Sequence, residues 1–361
     1  MAVVCGKKLS RAEILERVGD VAQLAGVRAS EIADGKGRGM RALDFYSADG
    51  LEFRVLPDRA MDISRASAGG VPLVWLSPTG EAAPAFYDKE GLGWLYGFFG
   101  GLLTTCGLAW ASAPTTDEGA ELGLHGRISY IPAEKVAWGA EWRDDDYVLW
   151  AQGEVHETRV FGDKLVLRRR IETTLGAPKL TISDRVTNAG SAPTPHMILY
   201  HINVGWPVVD ATAKLVLAAS ETEPRDPRAE AESGEFAEFL TPQAGYAERV
   251  YRHTPIPDSG GMNHAALVNP ALGDGGVGVH VAFRAAELPY MVEWKMMGRG
   301  EYVVGLEPAN CLMYTRDKLR AEGALPVLEP GRSVDYRVEI EAARGSSARA
   351  ALEGLAKGRR K

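Results

Sequence analysis

"KLVLRRRIETTLGAPKLTISDRVTNAG", residues 164–190, decides the fold. Polar and apolar side chains alternate through 164–175 and again through 179–190, the period-2 pattern of half-buried strands. Leu175-Gly176-Ala177-Pro178 sits between the two runs and reads as a hairpin, and Asn188-Ala189-Gly190-Ser191 closes the second. Moving outward, "LEFRVLP" (51–57), "YVLWAQGEVHE" (147–157), "GVGVHVAF" (276–283) and "YRVEIEA" (336–342) show the same alternation or β-branched enrichment. Strand and helix patterns do not alternate along the chain, so a parallel doubly wound sheet is disfavoured. The expected class is mainly β, a large antiparallel sandwich of many strands preceded by a short N-terminal helix. That helix starts at a capping box of Ser10 and Glu13, carries Ile14, Leu15, Val18 and Val21 on one face, and stops at Gly26.

The 361 residues fit one large β domain or two closely joined halves. With 45% hydrophobic and 25% charged residues the chain is an ordinary globular protein with enough apolar material for a core. A net charge of -7 argues against a nucleic-acid binder that relies on a general positive field. Cys5, Cys106 and Cys311 are too few and too scattered for a disulfide framework or a zinc pattern. After Lys7 and Lys8 charged residues follow where a signal peptide would place an apolar stretch. The expected compartment is therefore the cytoplasm.

Residues 91–110, "GLGWLYGFFGGLLTTCGLAW", are uncharged and long enough to cross a bilayer, but their six glycines favour a buried strand and loop region. Glycines among Trp94, Tyr96, Phe98 and Phe99 also suit a wall where backbone comes close to a ligand. Residues 221–238, "ETEPRDPRAEAESGEFAE", read as an exposed excursion, a surface loop more readily than a lid. The C-terminal "SSARAALEGLAKGRRK" reads as a short helix with a solvated basic end. "GKGRGM" (35–40) has the glycine density of a phosphate loop without its Gly-Lys-Ser/Thr ending.

His125 in "LGLHGRIS" and His201 in "LYHINVGWP" each follow an apolar run and are expected where strands meet loops. Either could be an ordinary histidine bonded to a carbonyl. Glu307 in "GLEPAN" ends the apolar run Tyr302–Leu306, where an unpaired carboxylate would be costly. It must be paired or face solvent or a cleft, and Pro308 is expected to end the strand. A carboxylate and two histidines at strand ends suffice for acid–base chemistry. Arg59 and Asp62 in "LPDRAMDIS" pair with each other or hold a polar ligand. Arg127, Asn203, Trp294 and Asn310 are further polar or stacking candidates, and Arg59, Arg65 and Arg127 would suit either an anionic substituent or surface ion pairs.

Taken together, "LEFRVLPDRAMDIS", "GLLTTCGL", "GLHGRISYIPAEKV", "YHINVGWPVVD" and "GLEPAN" resemble the aldose 1-epimerase (galactose mutarotase-like) superfamily, closest to its bacterial DUF4432 branch. The motifs run in order from about residue 31 to residue 340. The resemblance implies a β supersandwich with a sugar cleft on one face, comprising residues 31–345 between an N-terminal helical extension (1–30) and a helical basic tail (346–361). It also implies that His201 is the general acid, Glu307 the general base and His125 a substrate-positioning histidine, in an enzyme that interconverts sugar anomers by opening and closing the ring. Such chemistry needs no metal or cofactor. The Asn-Arg pair that galactose mutarotases carry upstream of their Leu-His-Gly histidine has no counterpart in "FFGGLLTTCGLAW", so the sugar contacts do not transfer. The expected partner is a small sugar, with no nucleic acid and no membrane, and self-association into a homo-oligomer is compatible with the sequence. Two alternatives stand beside this reading: another sugar isomerase or epimerase, with a metal held by His125, His201 and a carboxylate, and a non-catalytic carbohydrate-binding protein on the same scaffold.

Overall fold

The computed structural model describes residues 1–358. The 164–190 stretch forms strands Lys164–Thr174 and Lys179–Asn188, paired antiparallel from Leu165↔Asn188 to Thr173↔Leu180. They lie within an eight-stranded antiparallel sheet. Ahead of them come Glu134–Arg143 and Asp146–Thr158; beyond them follow Ser333–Arg344, Val277–Arg284, Met262–Asn269 and Lys214–Leu217. Alternation along these strands sends Leu165, Leu167 and Ile171, and then Leu180, Ile182 and Val186, into the core, where all are fully buried.

A six-stranded sheet packs against that inner face. Its order is Ala219–Pro224, Arg249–Pro255, Tyr290–Met297, Tyr302–Ala309, Leu199–Gly205 and Thr104–Cys106. A five-stranded sheet runs from Ala25–Glu31 to Val71–Pro72, so the residues up to Glu31 are paired into the body of the protein. One continuous hydrophobic core draws on all three sheets.

Several local expectations change. The Ser10–Glu13 capping box is present, but the helix is only Arg11–Leu15, and Gly26 lies inside a strand instead of ending a helix. Residues 221–238 are no plain loop. Their start is the edge strand of the six-stranded sheet, a short helix Pro227–Ala231 follows from the Asp226 cap, and Phe236 packs against His253 at 5.2 Å. Residues 91–110 are short 3-10 turns and one short strand, and no helix among the described residues is long and apolar enough to cross a membrane. Helix Gly345–Ala356 lies on the eight-stranded sheet; Arg359, Arg360 and Lys361 fall outside the described residues.

The three sheets are joined through one fully buried polar network. Arg169 donates from Nε and Nη2 to Asp184 and from Nη1 to Asp62, Thr105 Oγ1 and the Ala60 carbonyl, all between 2.7 and 3.2 Å. The Tyr200 hydroxyl donates to Asp184 at 2.8 Å, and Thr105 donates to Asp62 through both its hydroxyl and its backbone N–H. Asp62 comes from the five-stranded sheet, Arg169 and Asp184 from the eight-stranded, Thr105 and Tyr200 from the six-stranded. Burial raises the Asp62 carboxyl to about 6, although the Arg169 guanidinium pulls the other way.

Candidate active site

The opposite face of the six-stranded sheet carries the candidate residues His201, Asn203 and Glu307. In Leu199–Gly205 the alternation turns Tyr200, Ile202 and Val204 toward the core and His201 and Asn203 outward; in Tyr302–Ala309 it turns Gly305 and Glu307 outward. All seven residues of Leu199–Gly205 are buried, and His201 sits in mid-strand instead of at a strand end. The Glu307 strand likewise continues through Pro308 to Ala309. Pro308 still marks the ladder. The two strands pair at Leu199↔Ala309 and resume at Ile202↔Leu306, leaving a gap opposite a residue that has no N–H to give.

His201 Nε2 and Glu307 Oε1 come to 3.2 Å in that gap. The approach is off the line a ring N–H would need, so Glu307 Oε1 accepts no hydrogen bond. His201 is 5% exposed and Glu307 3%. Gly305 makes room for the carboxylate: a Cβ there would stand 2.2 Å from Glu307 Oε1. Around the pair, Phe98 and Trp294 flank the His201 ring at 5.1 and 5.4 Å, and His125 approaches edge-on at 5.8 Å. Trp75 lies 6.0 Å from Trp294, and Trp94 5.0 Å from His125. Trp294 is oriented by its indole N–H, which donates to Glu248 at 2.8 Å, and Glu248 is paired with Arg225.

His125 reaches the pair from a loop, at φ +55°, a left-handed backbone uncommon for a side-chain-bearing residue. The turn is held by His125 N–H to the Ser112 carbonyl and Gly107 N–H to the His125 carbonyl. Gly126 follows because a Cβ there would lie 2.2 Å from the Gly107 carbonyl oxygen.

The pair's electrostatics favour neutral partners. Burial, followed by the Glu248 charge, pushes the Glu307 carboxyl well above the usual carboxylate range. Burial, followed by neighbouring His125, pulls His201 well below its ordinary value, and burial brings His125 down to about 4. With the carboxyl raised and the imidazole lowered, the pair holds one proton, on the carboxyl, in the interval between the two shifted values. Nδ1 of His201, Nδ1 of His125 and Oδ1 of Asn203 are buried without hydrogen-bond partners, as is Glu307 Oε1. Four open polar atoms around one proton-sharing pair form a polar recess without its complement.

Residues 37–342 match the model of the Domain of unknown function (DUF4432). The chain belongs to the DUF4432 family. Among solved structures it is similar to a "putative aldose 1-epimerase" from Klebsiella pneumoniae, with 27% identity over 93% of this chain and 88% of that one and a TM-score of 0.87. A galactose mutarotase-like protein from Clostridium acetobutylicum shares the fold at 13% identity, covering 88% and 98% of the two chains with a TM-score of 0.61. So does a homologue of aldose epimerase from C. elegans, at 13% identity over 85% and 100%, with a TM-score of 0.53. No curated protein matches.

In this DUF4432 chain the remaining sequence candidates separate from the cleft. Arg59 and Asp62 do not pair. Arg59 is fully buried, donates to the Ser129, Ala82 and Gly97 carbonyls and stacks over Tyr130; Asp62 belongs to the Arg169 network. Their partners lie far along the chain, which made them look available. Asn310 ties two strands, accepting from Ile198 N–H and donating to the His196 carbonyl. Arg65 is exposed beside Glu81. Arg127 lines a separate cavity of about 810 Å³ with Tyr87, Trp110 and Arg159, and a second cavity of about 610 Å³ lies against ion-paired arginines of the eight-stranded sheet. Neither is lined by His201 or Glu307. Among the described residues no group of three or more His, Cys, Asp or Glu side chains is arranged to hold a metal ion.

Sequence reasoning missed Trp75, Glu248 and Arg252. Glu248 lies outside the strands, and Arg252 in "ERVYRHTP" resembles any charged residue of an edge strand. Only the register brings Arg252 into the Glu307 row.

Proposed function

We propose that the protein interconverts the anomers of a sugar, with Glu307 and His201 as the acid–base pair. The observation that carries this reading is the open pair: a buried carboxyl and imidazole 3.2 Å apart, sharing one proton, walled by aromatic rings and left without full hydrogen-bond complement. Mutarotation requires a proton to leave the anomeric hydroxyl while another reaches the ring oxygen, followed by the reverse steps on the other face of the carbonyl.

Before a sugar binds, the proton belongs on Glu307, since burial disfavours both charges. Sugar hydroxyls donating to the carboxylate favour the ionic form, with the proton on His201. Glu307 then takes the anomeric proton and His201 protonates the ring oxygen. Closure after rotation of the carbonyl returns both protons. Asn203 Oδ1 and His125 Nδ1 remain to orient hydroxyls, and Trp294 and Trp75 offer faces to the sugar's C–H surface. The similarity in fold to the Klebsiella protein, itself described as a "putative aldose 1-epimerase", supports the same chemistry.

The test is anomer exchange followed by NMR on a panel of aldoses and ketoses. The protein is expected to accelerate exchange of at least one sugar, and Glu307→Gln to lower that rate by about 10²–10⁴-fold, the usual worth of a positioned acid or base. Exchange at the spontaneous rate across the whole panel would refute the reading.

A further inference from the structure

One residue in the Glu307 row has no place in the acid–base steps. The register pairs Glu223 with Arg252, Arg252 with Val292, and Val292 with Glu307, so these side chains stand on the same face of the sheet. Two strand spacings put the Arg252 and Glu307 backbones about 10 Å apart. In the row Glu223, Arg252, Val292, Glu307 the guanidinium is engaged on the Glu223 side, and turning it across Val292 would bring it to the far end of a sugar whose anomeric carbon is at Glu307.

Arg252 is only 7% exposed, yet its partners are few. Its guanidinium lies 4.4 Å from the Tyr314 ring centroid, and a single nitrogen donates to Glu223, at a long 3.4 Å. Glu223 is engaged more closely by the Tyr314 hydroxyl, at 2.6 and 2.7 Å from its two oxygens. Burial lowers the Arg252 pKa, outweighing the stabilisation from Glu223. Among the described residues this is a buried cation with most of its five N–H donors uncommitted, in the same row as the reactive carboxyl.

We propose that the substrate is a sugar acid, a monosaccharide whose carboxylate is received by Arg252 while its anomeric carbon lies at Glu307 and His201. The proposal rests on the acid–base reading for where the anomeric end sits. A monoanion fits better than a dianionic phosphate, because Glu223, Glu248 and Asp226 also stand at this end of the sheet and Arg225 alone is shared between Asp226 and Glu248. A carboxylate adds one negative charge and takes the fork of donors in the plane of the guanidinium.

Calorimetric titrations at fixed ionic strength with D-galacturonate, D-glucuronate, D-galactose, D-glucose and D-glucose 6-phosphate test this. At least one uronate is expected to bind tenfold or more tightly than its neutral parent, about 1.4 kcal/mol, and more tightly than the phosphate. Arg252→Met should abolish that preference, so that the uronate binds no more tightly than its neutral parent, and Arg252→Lys should restore part of it. Equal binding of uronate and parent, no uronate binding, tighter binding of the phosphate, or a preference that survives Arg252→Met overturns the proposal. The first comparisons need only the unmodified protein, so a variant that fails to fold leaves them intact. Uronate preference without accelerated anomer exchange would sink the acid–base reading and keep this one; equal acceleration of galactose and galacturonate, with equal binding, would do the reverse.

Discussion

Two buried clusters of ionisable side chains occupy opposite faces of the six-stranded sheet, and they differ in how completely they are bonded. On the core face Arg169, Asp62, Asp184, Thr105 and Tyr200 satisfy one another at ordinary hydrogen-bond distances and join three sheets. On the cleft face Glu307, His201, His125 and Asn203 are nearly as deep, and each keeps a polar atom without a partner. Burial alone does not separate structure from function here, because Tyr200 and His201 are adjacent and both buried. Completeness of bonding does. A closed network stabilises the fold that contains it, while an open one remains short of bonds that a ligand can supply.

The largest expected effect breaks the closed side. Arg169→Met leaves Asp62 and Asp184 as buried carboxylates without their cation, and should cost about 3–5 kcal/mol of stability. Urea denaturation measures it, and a loss under 1 kcal/mol would show that the network is not the clamp its geometry suggests. On the open side, Gly305→Ala puts a methyl group into the Glu307 carboxylate and should cost about 1–3 kcal/mol. Because the neighbour that must yield is the reactive group, anomer exchange should drop with it. An alanine variant of unchanged rate would mean that Glu307 can move without consequence.

Smaller still is the expected effect of Glu307→Gln on stability. An isosteric neutral amide replaces a carboxyl already biased toward its neutral form, so the denaturation midpoint should shift by less than about 0.5 kcal/mol while exchange is lost. A large destabilisation would move Glu307 to the structural class. The smallest effect should come from pH. With His201 pulled below its ordinary range and Glu307 pushed above its own, the pair keeps its single proton between the lowered imidazole range and the raised carboxyl range. The exchange rate should therefore be flat there. It should fall in acid only well below pH 6.5, when a second proton binds, and in base only above the raised carboxyl pKa, when the shared proton leaves. A midpoint at the ordinary histidine value would show that the imidazole titrates independently of its neighbour.

The same contrast explains what could be read from the sequence. Strands of the eight-stranded sheet were legible because one face is wet, so Lys164–Thr174 and Lys179–Asn188 alternate cleanly. Leu199–Gly205 is buried on both faces, and the polar His201 directly after the apolar Met197–Tyr200 reads as the end of a strand although the strand continues past it. The residues His125, His201, Asn203, Trp294 and Glu307 do converge, as their motifs suggested. Arg59 and Asp62 do not join them, because the bonds that bind them inside come from Ser129, Ala82, Gly97 and Arg169. A short sequence window contains no information about such distant partners. Arg252 was invisible for the converse reason: its relation to Glu307 exists only through the intervening strand Tyr290–Met297.

The placement of His201 and Glu307 on neighbouring strands also dictates an order of assembly. Between Leu199–Gly205 and Tyr302–Ala309 the chain makes Lys214–Leu217 in the other layer, returns for Ala219–Pro224 and Arg249–Pro255, crosses again for Met262–Asn269 and Val277–Arg284, and comes back through Tyr290–Met297. The meander from Glu134 to Asn188 can form from adjacent hairpins, each closing a short loop. The reactive pair must wait for the chain to cross to the opposite sheet and come back, a closure of far higher contact order. During refolding the approach of His201 to Glu307 should therefore be among the last properties to return, trailing the recovery of strand content. Its return, read through the proposed anomer exchange, then reports that both layers have met, which makes this site a built-in clock for the completion of the whole sandwich.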